Sequence, residues 1–67
     1  MVRLTKMDGK WFYLNADLIE TVEALPDTTI TLVNGRKYIV REPVEEVVRL
    51  VIEYKRKVFW WFKEAGG

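Results

Sequence analysis

Asp27-Thr28-Thr29-Ile30-Thr31-Leu32-Val33-Asn34-Gly35-Arg36-Lys37-Tyr38-Ile39-Val40 is the stretch that decides how this chain folds. Asn34-Gly35 stands between two runs rich in β-branched and aromatic residues, the strongest short-range signal for a hairpin. A two-residue type I′ turn needs φ > 0 at both central positions, and Asn-Gly tolerates that best. Such a turn would set Ile30 opposite Ile39 and Leu32 opposite Lys37, with Val33, Tyr38 and Val40 on the other face.

The same grammar recurs upstream. Val2 to Met7 reads as a strand, Asp8-Gly9 as a tight turn and Lys10 to Leu14 as the returning strand. A two-residue turn would pair Met7 with Lys10 and Thr5 with Phe12. Thr5, Met7, Phe12 and Leu14 would then share one face, and Val2, Leu4, Trp11 and Tyr13 the other. Both faces are substantially apolar, whereas a sheet covered on one side alternates more cleanly. Asn15-Ala16-Asp17 is a polar break, Leu18 to Ala24 a third strand, and Leu25-Pro26-Asp27-Thr28 a turn, because Pro presets φ and Asp bonds its own backbone.

Pro43 fits the first turn of a helix, where its missing N–H costs nothing. Glu45 and Glu46 suit the positive start of that helix, and Lys55, Arg56, Lys57 and Lys63 its negative end. The spacing predicts a helix over 43–63. The fold class is therefore α+β, one domain over residues 1–67. A small, strongly bent antiparallel sheet of about five strands built from hairpins (2–41) precedes one long C-terminal helix.

That helix carries more apolar surface than one sheet needs. Val44, Val47, Val51, Tyr54, Val58 and Trp61 recur at alternating spacings of three and four, a seam that could pair copies of the chain. Val48, Ile52, Phe59 and Phe62 form a second stripe, with Leu50 and Trp60 further round. Either both stripes make one broad face under a curled sheet, or one of them meets an oligomer or a partner. Lys55, Arg56, Lys57, Phe59, Trp60, Trp61 and Phe62 are the clearest interaction candidates. Cations beside clustered Trp and Phe suit a protein partner, a second copy or the membrane interface.

Composition removes most chemistry. With 67 residues the core is thin, and there is no Cys, His, Ser or Gln. The usual zinc sites, nucleophile pairs and the commonest neutral-pH base are thereby excluded. Asp8, Asp17 and Asp27 fall in turns, where Asp is expected for backbone reasons. No phosphate-cradling glycine loop, metal spacing or triad pattern occurs, so neither catalysis nor a cofactor nor a metal is expected. A formal net charge of +1 gives no global field toward nucleic acid. Arg36, Lys37 and Arg41 flank the second hairpin, and Trp11 and Tyr13 could stack on bases, which keeps nucleic-acid binding as an alternative. Met1-Val2-Arg3-Leu4 lacks the apolar stretch of a signal peptide, so the expected location is cytoplasmic.

Several phrases carry a resemblance in their order and spacing. They are Leu4-Thr5, Asp8-Gly9, Leu14-Asn15-Ala16-Asp17-Leu18-Ile19-Glu20, Thr21-Val22-Glu23 and Pro26-Asp27-Thr28. Ile30-Thr31-Leu32, Asn34-Gly35-Arg36-Lys37-Tyr38, Glu45-Glu46-Val47 and Glu53-Tyr54-Lys55-Arg56-Lys57 continue the series. Together they resemble the FlbD family of small flagellar-operon proteins, over about residues 2 to 59; the transcriptional activator of the same name is unrelated. Two features depart from that pattern: Pro43 stands where a Ser-like helix start is expected, and Trp60-Trp61-Phe62 is richer in aromatics. The resemblance implies a cytoplasmic accessory of flagellar motility, linked to swarming and motor power, that supports the stator rather than building the filament. It implies no catalytic or ligand residues. The expected partners are a second copy and a motor or stator component, with peripheral contact at the inner membrane. The alternative is a nucleic-acid-binding regulator of flagellar genes.

Overall fold

The computed structural model describes residues 1–65. Its elements are β1 (Val2–Thr5), β2 (Trp11–Leu14), a 3-10 turn (Ala16–Leu18), β3 (Ile19–Glu23), β4 (Thr28–Leu32), β5 (Lys37–Val40) and α1 (Val44–Ala65). The architecture is the expected α+β arrangement of five strands and one long helix. The strands divide into an antiparallel β1–β2 pair and an antiparallel β3–β4–β5 sheet. A single Lys6–Val40 bridge joins them, and the Arg41 N–H donates to the Thr5 carbonyl at 2.8 Å. Residues of both sheets line one core.

Both hairpin registers differ from expectation by one residue, for the same reason. Leu4 faces Phe12 and Ile30 faces Tyr38, which leaves three-residue loops, Met7-Asp8-Gly9 and Val33-Asn34-Gly35. In each loop the glycine N–H donates to the carbonyl three residues back, Lys6 or Leu32, at 2.9 Å. The Asp8 and Asn34 side chains accept the N–H two residues on, from Lys10 at 2.9 Å and Arg36 at 3.0 Å. Gly9 and Gly35 lie at φ 90° and 88°, and among the described residues no other type has positive φ. A two-residue turn would force Asp8 and Asn34 into the left-handed region as well; the longer loop asks that only of glycine, which has no Cβ to clash.

A one-residue slip moves a strand's side chains to the opposite face relative to its partner. Val2, Leu4, Phe12 and Leu14 therefore turn inward together, while Trp11 and Tyr13 point outward with Arg3. Ile30, Leu32, Tyr38 and Val40 likewise share the inner face. The core consists of Val2, Leu4, Leu14, Ala16, Ile30, Leu32, Val40 and Val47, with Phe12, Ile19, Val22, Tyr38, Leu50, Val51 and Tyr54 packed around it. Helix α1 closes this core from its first turns. The Pro43 carbonyl accepts the N–H of Glu46 and of Val47 at 3.0 and 3.1 Å, so the helix begins just past the proline. It also runs beyond the expected 63, to Ala65.

The corner before the helix is held by charge. Thr5 donates its N–H to one oxygen of Glu42 at 2.9 Å and its hydroxyl to the other at 2.8 Å. Arg41 donates from Nε and Nη2 to the Met7 carbonyl, at 3.1 and 2.6 Å. Partial burial pushes the Glu42 carboxyl up, but the Thr5 bonds, joined by its own N–H, outweigh this and hold it below the ordinary glutamate range. Because the folded pKa is depressed, the contribution to stability is complete above the unfolded value of about 4.3 and fades as pH falls through the folded one. Glu42→Gln keeps the shape but leaves one Thr5 donor facing an NH₂ group. The expected loss near neutral pH is about 1–2 kcal/mol, or roughly 5–15 °C in Tm. Urea titrations down the acid range should bring variant and parent together; a gap that persists in acid would refute the clasp.

Candidate interaction surfaces

The rows of side chains on α1 meet different surroundings along its length. Val47 is fully buried, Leu50, Val51 and Tyr54 pack on the core, and Val44 is half-buried. The seam Val44–Val47–Val51–Tyr54, expected as an oligomer stripe, is thus the stripe that closes the chain's own core; its continuation, Val58 and Trp61, is exposed. The physical reason is that β1 and β3 lie against the helix and, with the inward side chains of β4 and β5, supply one apolar face for its first three turns.

After Tyr54 the sheet ends and the helix continues. Residues 55–65 add roughly 16 Å at 1.5 Å per residue, which helps stretch the molecule to 44 Å against 23 and 18 Å across. Phe59, Trp60, Trp61 and Phe62 are between 57% and 68% exposed on this projection. Trp61 and Phe62 meet edge to face at 5.9 Å, and the Lys63 ammonium lies 5.5 Å from the Trp60 ring centre. Beneath the projection runs an open groove of about 740 Å³. Tyr54, Val58 and Phe62 form one row of its wall and Lys55, Phe59 and Lys63 the next. Asp17 closes the sheet end, set there by a turn in which the Asn15 side chain accepts the Asp17 N–H at 3.0 Å.

On the outer side of the helix, Val48 and Ile52 are exposed between charged neighbours. Arg49 bonds Glu46 and reaches Glu53 at 2.8 Å, while Lys57 sits 3.8 Å from Glu53. The Arg49 hydrogen bond holds the Glu46 carboxyl below its ordinary range. The cations near the acidic half of the helix are therefore partly engaged, and Lys63, beyond Lys57, lies against the exposed Trp60 ring.

The residues weighed for nucleic acid do not gather. Arg36 and Lys37 stand at the turn of the β4–β5 hairpin. Arg41 lies about 13 Å further along the strand direction, with its guanidinium spent on the Met7 carbonyl. A cluster that sequence reasoning assembled differently is Arg3, Trp11 and Tyr13 on the outer face of β1–β2. Arg3 stacks 5.5 Å from the Trp11 ring centre, and Trp11 meets Tyr13 edge to face at 5.6 Å. The signal that would have found it is the Asp-Gly loop read as three residues instead of two.

Among the described residues no cluster of His, Cys, Asp or Glu could hold a metal ion, and no helix is long and apolar enough to cross a membrane. What the arrangement offers chemically is contact surface. A family model described as FlbD, flagellar and swarming motility proteins, matches residues 1–59. No match is found among curated proteins or among solved structures. The matched region contains the whole sheet and every core residue, and it ends before Trp60.

Proposed function

The chain belongs to the FlbD family of flagellar and swarming motility proteins, and on that premise we propose that it is a non-enzymatic accessory of the flagellum that supports motor output during swarming through protein contacts. The observation that carries this reading is the projection of α1: a helix whose second half leaves its own sheet while becoming more aromatic. An apolar surface of that kind on a small domain marks an interaction site. The exposed stripe of Val48, Ile52 and Phe59 supports protein contacts with a second copy or a motor or stator component, and the Lys55–Lys63 end supports placement where the motor meets the cytoplasmic side of the inner membrane. The exposed aromatics and the scattered charges suit contact better than turnover.

Deleting the gene in its flagellated host, with filaments counted in the same cells, tests this directly. The expected result is a normal filament number with weak or failed swarming, since an accessory of motor output leaves assembly intact. Loss of filaments would instead favour assembly or a regulator of flagellar gene expression, the role for which Arg36, Lys37 and Arg41 were weighed.

A further inference from the structure

Successive residues of an α-helix point about 100° apart. Lys55, Arg56 and Lys57 are consecutive, so their side chains leave the helix in three directions and form a collar of positive charge. Phe59, Trp60, Trp61 and Phe62 are also consecutive, and their rings leave in four directions, roughly 6 Å further along the axis. The projection is therefore layered along its length as well as two-faced: a cationic collar, then an aromatic collar, at the far end of the long axis.

Resting on the accessory reading above, the geometry points to an anionic phospholipid bilayer as the surface that this end of α1 meets. Charge complementarity selects the lipid. Four cations (Lys55, Arg56, Lys57 and Lys63) stand on the projection against one acid, Glu64, with Lys57 only loosely paired to Glu53 at 3.8 Å. The spacing of the collars matches a shallow interface. Phosphates meet the cations while Trp and Phe settle about 5–10 Å deeper, at the boundary of head groups and acyl chains. Lys63 has a stem long enough to reach back toward the phosphates. A projection of roughly 16 Å falls well short of the ~30 Å hydrocarbon core, so this is contact at the surface.

A second copy is the weaker occupant. One docked helix covers one arc, which would leave Trp60 or Phe59 bare, whereas a bilayer interface surrounds every side of an entering helix end. Two such ends would also bring eight cations together, four from each copy. Entry is oblique or end-on, because the sheet lies against α1 up to Tyr54, behind the open groove that Val58 and Phe62 line.

The test uses the full chain with vesicles of phosphatidylcholine alone and of phosphatidylcholine and phosphatidylglycerol in equal parts. Co-sedimentation with the anionic vesicles is expected, weakening as salt rises, together with a shift of tryptophan emission to shorter wavelength. The paired substitution Lys55→Gln and Arg56→Gln should weaken partitioning about 25-fold, five-fold for each cation. Trp60→Ser with Trp61→Ser should abolish the emission shift, leaving Trp11 as the one remaining indole. These positions lie beyond Tyr54, so thermal melts should be unchanged and would expose any misfolded variant. Equal binding to both vesicle types, or none to either, overturns the proposal; a concentration-dependent mass without vesicle binding assigns the rings to a second copy. The two readings fail separately. A protein that ignores vesicles while its deletion blocks swarming with filaments intact loses only the lipid contact, and one that binds vesicles while its deletion strips filaments loses only the motor role.

Discussion

Replacing Ile30 with Ala is expected to remove about 2–5 kcal/mol of stability, the range for deleting a large aliphatic side chain from a packed interior. Ile30 is fully buried, in the central strand of the β3–β4–β5 sheet, and faces Val22 on one side and Tyr38 on the other. Strands paired on both edges cannot shift to fill the void without breaking a ladder, so the loss should sit in the upper part of that range. A chain of this length has roughly 3–10 kcal/mol in all, and the variant should melt at least 10 °C lower. Ile39→Ala is the informative control. Ile39 is 49% exposed on the outer face of β5, and its loss should cost under about 1 kcal/mol. In the two-residue-turn register the two isoleucines would face each other and cost alike. Urea denaturation of both variants, with m unchanged, separates the alternatives; equal losses would discard the three-residue loop.

A chain ending at Lys57 should keep its fold and lose its activity. Among the described residues none of the core or of the layer packed against it lies beyond Tyr54, so the melting temperature should fall by no more than about 8 °C. A loss of about 1 kcal/mol from a shorter helix corresponds to roughly 4–8 °C. Swarming, by contrast, should drop to the level of the gene deletion, because the whole aromatic collar is gone. The family match ends at residue 59, which makes the result decisive for where function resides. A stable truncated protein that swarms fully would confine activity to the sheet and the first turns of the helix. A truncated protein that no longer folds would show instead that the projection contributes to the core.

The elements themselves were legible residue by residue. Asp8-Gly9 and Asn34-Gly35 announced the two hairpins, Pro26 the turn between β3 and β4, and Pro43 with Glu45 and Glu46 the start of the helix. Local chemistry suffices there because each signal acts within a few residues. Turn length was not legible in the same way. Asp-Gly and Asn-Gly satisfy both a two-residue and a three-residue loop, and the choice turns on whether the residue before Gly takes positive φ. The side-chain bonds from Asp8 to Lys10 and from Asn34 to Arg36 favour the longer loop in both places. That choice decided which face Trp11 and Tyr13 took.

The candidate site divides along the same line. The amino-acid order by itself determined an α+β chain of hairpins and one amphipathic helix, without Cys, His or Ser and with cations and aromatics gathered at its end, since propensity, turn chemistry and composition are properties of neighbouring residues. Only the tertiary structure decided that Val44, Val47, Val51 and Tyr54 serve the core while Phe59, Trp60, Trp61 and Phe62 stand clear of it. Helical periodicity records which residues share a side, but where burial stops depends on the length of the sheet laid against that side. The sheet's cover reaches only to Tyr54, about three turns short of Ala65, so the aromatic residues beyond it are left uncovered.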